Sequence, residues 1–144
     1  MKTGIEFARK AAQAYGEVCR PLCRELNLPQ TAFDILLFLG NNLEYRTARD
    51  IVEIRHIKAN LVSVYVDRLV REGYLLRKPV AGDRRKTELV PTEQAEPVIQ
   101  KGRALQERFV EILFRDMEPA QRRAFFAALQ KMEANLDGIL EEMR

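Results

Sequence analysis

The chain has 144 residues, 47% hydrophobic and 31% charged, with a formal net charge of +3. That size suits one domain with a sizeable core, and the charge content predicts a soluble protein. No apolar run approaches the ~20 residues that span a bilayer, the stretch 1–10 lacks the apolar core of a secretory leader, and two cysteines with one histidine fall short of a zinc-site pattern, so the expectation is a cytoplasmic protein with no membrane partner, no metal and no cofactor.

The stretch 3–26 reads as a helix. Ile5, Ala8, Ala12, Tyr15, Cys19, Leu22 and Leu26 alternate three and four apart, a heptad seam that implies a partner helix. Pro21 lies inside it and, lacking a backbone donor, is expected to kink or split the helix. Cys19 and Cys23 share one side of it. They read as small buried residues or, alternatively, as a thiol redox sensor. A second helix is expected over 30–39, with Phe33, Leu36 and Leu37 inward and Gly40-Asn41-Asn42 ending it. A third, over 47–55, has Thr47 as its cap and is expected to bury Ala48, Ile51 and Val52. A turn at His56 and Ile57 leads to a fourth over 58–72, with Val62, Val66 and Leu69 as its core face, Tyr65 alongside, and Gly73 as its stop.

The stretch 74–80 predicts a strand, Ala81-Gly82-Asp83 a turn, and 86–90 a return strand. A lone hairpin is marginally stable, so this one must pack on the helices. Thr92 can cap a fifth helix, although Pro97 in its first turn moves the expected start to Glu96. Val98, Leu105, Phe109 and Ile112 mark its stripe, which runs to about residue 116. Glu118-Pro119 opens a sixth, where Phe125, Leu129, Met132, Leu136, Ile139 and Met143 again alternate four and three apart.

Charge is placed unevenly along this pattern. From Arg46 to Lys86 eleven basic residues stand against five acidic ones, a net +6, so the remainder nets −3. Such a field can hold phosphate on one face only. A helix, a short turn and a second helix form the unit that places one helix in the DNA major groove. A hairpin just after it, with Arg84 and Arg85 behind the Gly82-Asp83 turn, can reach the neighbouring minor groove, where negative potential favours arginine. The plainer alternative is an ordinary solvated face.

Three blocks of sequence then carry a resemblance. Val66-Asp67-Arg68-Leu69-Val70-Arg71-Glu72-Gly73-Tyr74-Leu75, Asp83-Arg84-Arg85 and Val90-Pro91-Thr92-Glu93-Gln94 are similar, in order and spacing, to the "vDrLe..G.l", "D.R" and "LTe.G" blocks of the MarR family of bacterial transcriptional regulators. Pro91 stands where leucine is usual and Ala95 where glycine is usual. The resemblance implies a mainly α fold with a small β-hairpin wing: a winged helix-turn-helix lobe over 30–91, and dimerisation helices over 1–28 and 92–144. It implies a homodimer whose two lobes grip successive major grooves of a near-palindromic operator in double-stranded DNA, usually as a repressor.

The fourth helix is then the recognition helix. Its outward positions are Lys58, Ala59, Asn60, Leu61, Ser63 and Val64, where Asn60 can pair with adenine and Leu61 or Val64 can touch a thymine methyl. In the wing, Arg85 is the minor-groove candidate with Asp83 bracing its guanidinium, and Arg84 is expected on phosphate. Asp67 is expected to lock wing to helix through a wing arginine, or else to pair with Arg68 or Arg71 on its own helix. Arg46, Arg49, Lys58, Arg68, Arg77, Lys78 and Lys86 are phosphate candidates. The resemblance also implies a small aromatic or anionic effector, for which Tyr15, Cys19, Phe33 and His56 are candidate lining. No nucleophile elbow, phosphate-binding glycine loop or metal cluster supports an enzyme. Competing readings are a winged-helix protein-interaction module, favoured by Leu61 and Val64, and a regulator switched by oxidation of Cys19 or Cys23.

Overall fold

A computed structural model describes residues 2–144, with side chains from Gly4 onward, so Met1 of the stretch inspected for a leader lies outside the described residues. The elements follow in the order α1 (Lys2–Leu26), α2 (Gln30–Asn41), α3 (Ala48–Arg55), α4 (Ala59–Arg71), β1 (Leu75–Val80), β2 (Asp83–Pro91), α5 (Glu96–Leu113) and α6 (Pro119–Glu142), with one 3-10 turn at Glu93–Ala95. They group into two compact units, Met1–Phe109 and Val110–Arg144. Among the described residues no helix is long and apolar enough to cross a membrane.

The first unit is built around α2. Eight of its residues, from Ala32 to Gly40, are buried, because α1, α4, α5 and the hairpin all contribute to one core that includes Cys19, Leu22, Ile51, Val62, Val66, Leu69, Leu75, Leu89 and Ile99. Glycine lets α2 and α5 approach closely. A Cβ on Gly40 would sit 2.7 Å from Ile99 Cδ1, and one on Gly102 would collide with the Leu37 methyls.

Helix α1 runs through Pro21 without a break, contrary to the expected split. Pro21 is exposed. The carbonyl it leaves without a donor, four residues back, therefore lies on the solvent side, open to water. Meanwhile Cys19, Leu22 and Cys23 anchor the inner face. The seam itself is covered only in its second half, since Cys19 and Leu22 are buried while Ile5, Ala8 and Ala12 are exposed.

Helix α3 opens with a full capping box: Asp50 N–H donates to the Thr47 hydroxyl at 3.1 Å, and Thr47 N–H donates to the Asp50 carboxylate at 3.0 Å. Ile51 is buried, but Ala48 is exposed, contrary to expectation. It occupies the first turn, which lines an open groove between α3, α4 and the hairpin. His56 caps the far end in the left-handed conformation, φ 55°.

Helix α4 ends in a Schellman motif. Tyr74 N–H reaches back to Leu69 at 2.9 Å and Gly73 N–H to Val70 at 3.1 Å, which Gly73 permits at φ 88°. The hairpin that follows is antiparallel from Leu75↔Pro91 to Pro79↔Thr87. Its base is fixed to the loop before α3 by Leu89 N–H donating to the Arg46 carbonyl at 2.7 Å. Strand β2 is longer than expected, starting at Asp83 rather than residue 86.

Thr92 does not cap a helix with its side chain. Its hydroxyl donates instead to the Gly73 carbonyl at 2.6 Å, so the residue ties the start of α5 to the end of α4. Helix α5 stops at Leu113, short of residue 116, because Phe114 turns inward and Asp116 adopts φ 64°.

In the second unit Phe114 packs edge-on to Phe125, with ring centroids 5.7 Å apart, and against Phe126 at 5.4 Å. The Arg122 guanidinium lies 5.4 Å over the Phe114 ring and donates to the Phe114 carbonyl at 3.1 Å. Beyond that cluster the α6 stripe of Leu129, Met132, Leu136, Ile139 and Met143 is exposed.

Candidate nucleic-acid interface

The basic stretch of the sequence presents one exposed helix face and, beside it, one cationic hairpin tip. Helix α4 buries Val62, Val66 and Leu69, and this fixes which way the rest of it points. Ala59, Asn60, Leu61, Ser63, Val64 and Asp67 are exposed, as is Lys58 at the N-cap position. Leu61 is 39% and Val64 60% exposed, so each presents apolar surface to solvent.

At the hairpin tip the register jumps from Pro79↔Thr87 to Val80↔Asp83. Arg84, Arg85 and Lys86 therefore have no partner across the hairpin, and form a bulge that carries three cations in a row. Pro79 has no N–H for the ladder, and Gly82 at φ 84° closes the turn that any other residue would strain. All three side chains are exposed, and none has an ion-pair partner among the described residues.

Asp83 shapes this tip, but not in the expected way. Its carboxylate accepts the backbone N–H of Arg85 at 2.9 Å. It braces the main chain of the bulge and leaves the Arg85 guanidinium free. Asp67 of α4 pairs with Arg77 of β1, an ion pair that joins helix to wing.

The remaining phosphate candidates divide. Lys58 and Lys78 are exposed. Arg49 is exposed and paired with Glu53 at 2.7 Å, and Arg46 donates to the Leu43 carbonyl at 2.8 Å with Glu88 at 3.8 Å. Arg68 is turned away from the exposed face, which corrects its assignment to the recognition surface. Its guanidinium donates to the Asn27 carbonyl at 2.7 Å and to Glu72 at 3.3 Å. It fastens α4 to the α1–α2 corner, where Asn27 sits at φ 53° and offers its carbonyl.

Behind the interface lies a cavity of about 190 Å³ lined by Tyr15, Asp34, Leu37, Phe38, Asn41, Asn42, Arg55 and Gln106. A polar relay holds its wall: Arg103 donates to Asn41 at 2.6 Å, Asn41 to Gln106 at 3.1 Å, and Gln106 to the Tyr15 hydroxyl at 3.0 Å. Burial pushes the Asp34 carboxyl from an ordinary 3.8 up to about 6, with the Arg55 charge working the other way. Of the four lining residues expected, only Tyr15 belongs to this cavity. Cys19 and Phe33 are fully buried in the core, and His56 is exposed at the end of α3. Asp34, Arg55 and Gln106 escaped sequence reasoning. The available signal was Asp34 itself, a lone carboxylate inside the apolar run 32–39.

Both thiols are free. Burial pushes Cys19 above its ordinary 9.0 and Cys23 to about 11. Little thiolate exists at neutral pH, which speaks against a redox sensor.

A family model described as the MarR family matches residues 26–86, from the end of α1 through the cationic bulge. Over that segment the chain is similar to the MarR family. No curated protein matches the chain. Among solved structures, a MarR protein from Peptoclostridium difficile is 18% identical with a TM-score of 0.81, covering 97% of this chain and 91% of that one. A MarR family transcriptional regulator from Listeria monocytogenes, complexed with 26mer DNA, is 20% identical with a TM-score of 0.81 and covers 92% and 87%. BpsR of Bordetella bronchiseptica, whose DNA binding is regulated by 6-hydroxynicotinic acid, is 21% identical with a TM-score of 0.68 and covers 89% and 91%. The mainly helical MarR fold with its hairpin wing thus extends over nearly the whole chain. The family match itself spans the elements that carry the exposed α4 face, the Asp67–Arg77 tie and the bulge.

Proposed function

We propose that this protein is a cytoplasmic, homodimeric transcription regulator. It represses by occupying a near-palindromic operator in double-stranded DNA and is released by a small aromatic or anionic effector. The observation that carries the reading is the unpartnered cationic bulge of Arg84, Arg85 and Lys86, at the tip of a hairpin tied to α4 through Asp67 and Arg77. A helix face and a cationic tip held at fixed spacing suit a major groove and its neighbouring minor groove. The Listeria relative complexed with DNA supports the same use of the fold.

Residues 1–28 and 92–144 form the dimer base in this reading, and 30–91 the lobe. Its support is α6, which leaves six large apolar side chains from Leu129 to Met143 in water on a single chain. Burying such a stripe against a second copy is favourable by roughly 25 cal/mol per Å². The effector site is assigned to the cavity between Tyr15, Phe38 and Arg55, where two rings and a guanidinium suit an aromatic acid. The effector-regulated relative supports a ligand switch.

The test is enrichment of bound duplexes from random DNA, followed by titration of the selected duplex at rising salt. Two chains per duplex, a symmetric site and affinity that falls steeply with salt are expected. The exposed Leu61 and Val64 favour a second reading, a winged-helix module that docks on protein. Weak binding without sequence preference would decide for it.

A further inference from the structure

We infer that the middle of the recognition helix selects A·T pairs, through Asn60 and the apolar pair Leu61 and Val64. This rests on the DNA-binding reading above and specifies what that site selects. The commonest specific contact in the major groove is a bidentate arginine or lysine on guanine N7 and O6. Helix α4 offers none from the middle of its exposed face; its exposed cations, Lys58 at the N-cap position and Arg71 in the last turn, stand at its two ends. Between Ala59 and Asp67 the outward residues are Ala59, Asn60, Leu61, Ser63, Val64 and Asp67. None of them is basic. The next cation along the helix, Arg68, is held by the Asn27 carbonyl and Glu72. The one acid, Asp67, is neutralised by Arg77, so it is not free to accept from cytosine.

Of what remains, Ser63 can serve any pair, and the others share one preference. An asparagine amide matches adenine N6 and N7, and an apolar side chain matches the thymine C5-methyl. Asn60 and Val64 lie four apart, on one face and about 6 Å along the axis. That distance is close to two base-pair steps of about 3.4 Å. Leu61 lies three before Val64 and widens the apolar contact. An exposed leucine and valine on a protein surface would ordinarily suit another protein. Here they sit on the lobe that carries the Arg84–Lys86 bulge, and charge complementarity favours DNA as the occupant.

The test uses the full chain and a duplex selected from random DNA. The enriched half-sites should hold A·T pairs where the helix enters the major groove. Replacing thymine there with uracil deletes only the methyl and should weaken binding about fourfold per methyl lost. Val64→Ala, at a position with no core contact to disturb, should erase most of that penalty. Replacing adenine there with 7-deazaadenine should weaken binding through Asn60, and so should exchanging those pairs for G·C. Tolerance of G·C pairs at those positions, or indifference to uracil, overturns the inference while leaving DNA binding intact. Failure to bind any duplex at low salt removes the proposed function, and the inference with it.

Discussion

Not every arginine in the basic stretch should matter for DNA, and the structure sorts them. Arg84, Arg85 and Lys86 have no ion-pair partner among the described residues, whereas Arg68 is bound to Asn27 and Glu72. Each phosphate neutralised by a side chain contributes about 0.9 to the slope of log affinity against log salt. A dimer brings two wings, so alanine at one phosphate-contacting bulge position should flatten the slope by nearly two. Arg84→Ala and Lys86→Ala should do this. Arg85→Ala should weaken binding further if its guanidinium enters the minor groove, with a slope change of about one per wing. Arg68→Ala should leave the slope alone. It instead removes a charge-assisted hydrogen bond to a backbone carbonyl, worth about 1–2 kcal/mol of fold stability at this partly exposed site. The assays are fluorescence anisotropy on a labelled duplex between 50 and 200 mM salt (roughly the range over which such slopes are well resolved) and urea denaturation of each variant. An Arg68→Ala slope change equal to that of Arg84→Ala, with stability untouched, would refute the assignment of roles.

Three further outcomes follow from packing and titration. Gly40→Ala places a methyl against Ile99 in the α2–α5 contact, and should cost about 1–3 kcal/mol in urea unfolding despite alanine's better helix propensity. The raised Asp34 carboxyl means that the unfolded chain releases its proton first as pH rises. Stability should therefore fall between pH 3.8 and about 6 and then level off. Asp34→Asn should flatten that profile and gain about 2 kcal/mol above pH 6, checked by denaturation midpoints at pH 5 and 7.5. Cys19 and Cys23 should resist a thiol-reactive dye until the fold is opened by denaturant, and peroxide should leave operator affinity unchanged. Rapid labelling of the native protein would contradict their burial.

Much of the fold was legible because its stops and caps are local. Gly73 accepts a left-handed conformation, Thr47 and Asp50 form a capping box over four residues, and Gly82 closes a turn. These depend on neighbours in sequence, so the helix and strand order could be read directly. What escaped depends on neighbours in space. Pro21 looked like a break, yet the donor it lacks falls on the solvent side, and the buried thiols and Leu22 hold the helix together. Ala48 looked like core by spacing, but an open groove lies beside the first turn of α3. Arg68 looked like a DNA contact because nothing in the sequence announces that the Asn27 carbonyl, 41 residues earlier, will face it.

The candidate site shows the same division. The basic hairpin and the exposed α4 positions were evident from spacing. The bulge was not, because alternation in the sequence begins only at Lys86 and the pairing jump depends on Pro79. Asp83 was assigned to the right neighbour but the wrong atom, since a short carboxylate two residues before an amide satisfies that amide before it can reach a flexible guanidinium. The cavity of Tyr15, Asp34, Arg55 and Gln106 gathers side chains from four helices, a juxtaposition no local pattern records.

The central claim is that two copies of the cationic lobe act together on one duplex. Its most direct measurement is the mass in solution of the free protein, and of its complex with the selected duplex, by sedimentation at low and moderate salt. The account predicts a dimer in the free state and two chains on one duplex, dissociating from DNA as salt rises. A stable monomer, or a complex indifferent to salt, would contradict it.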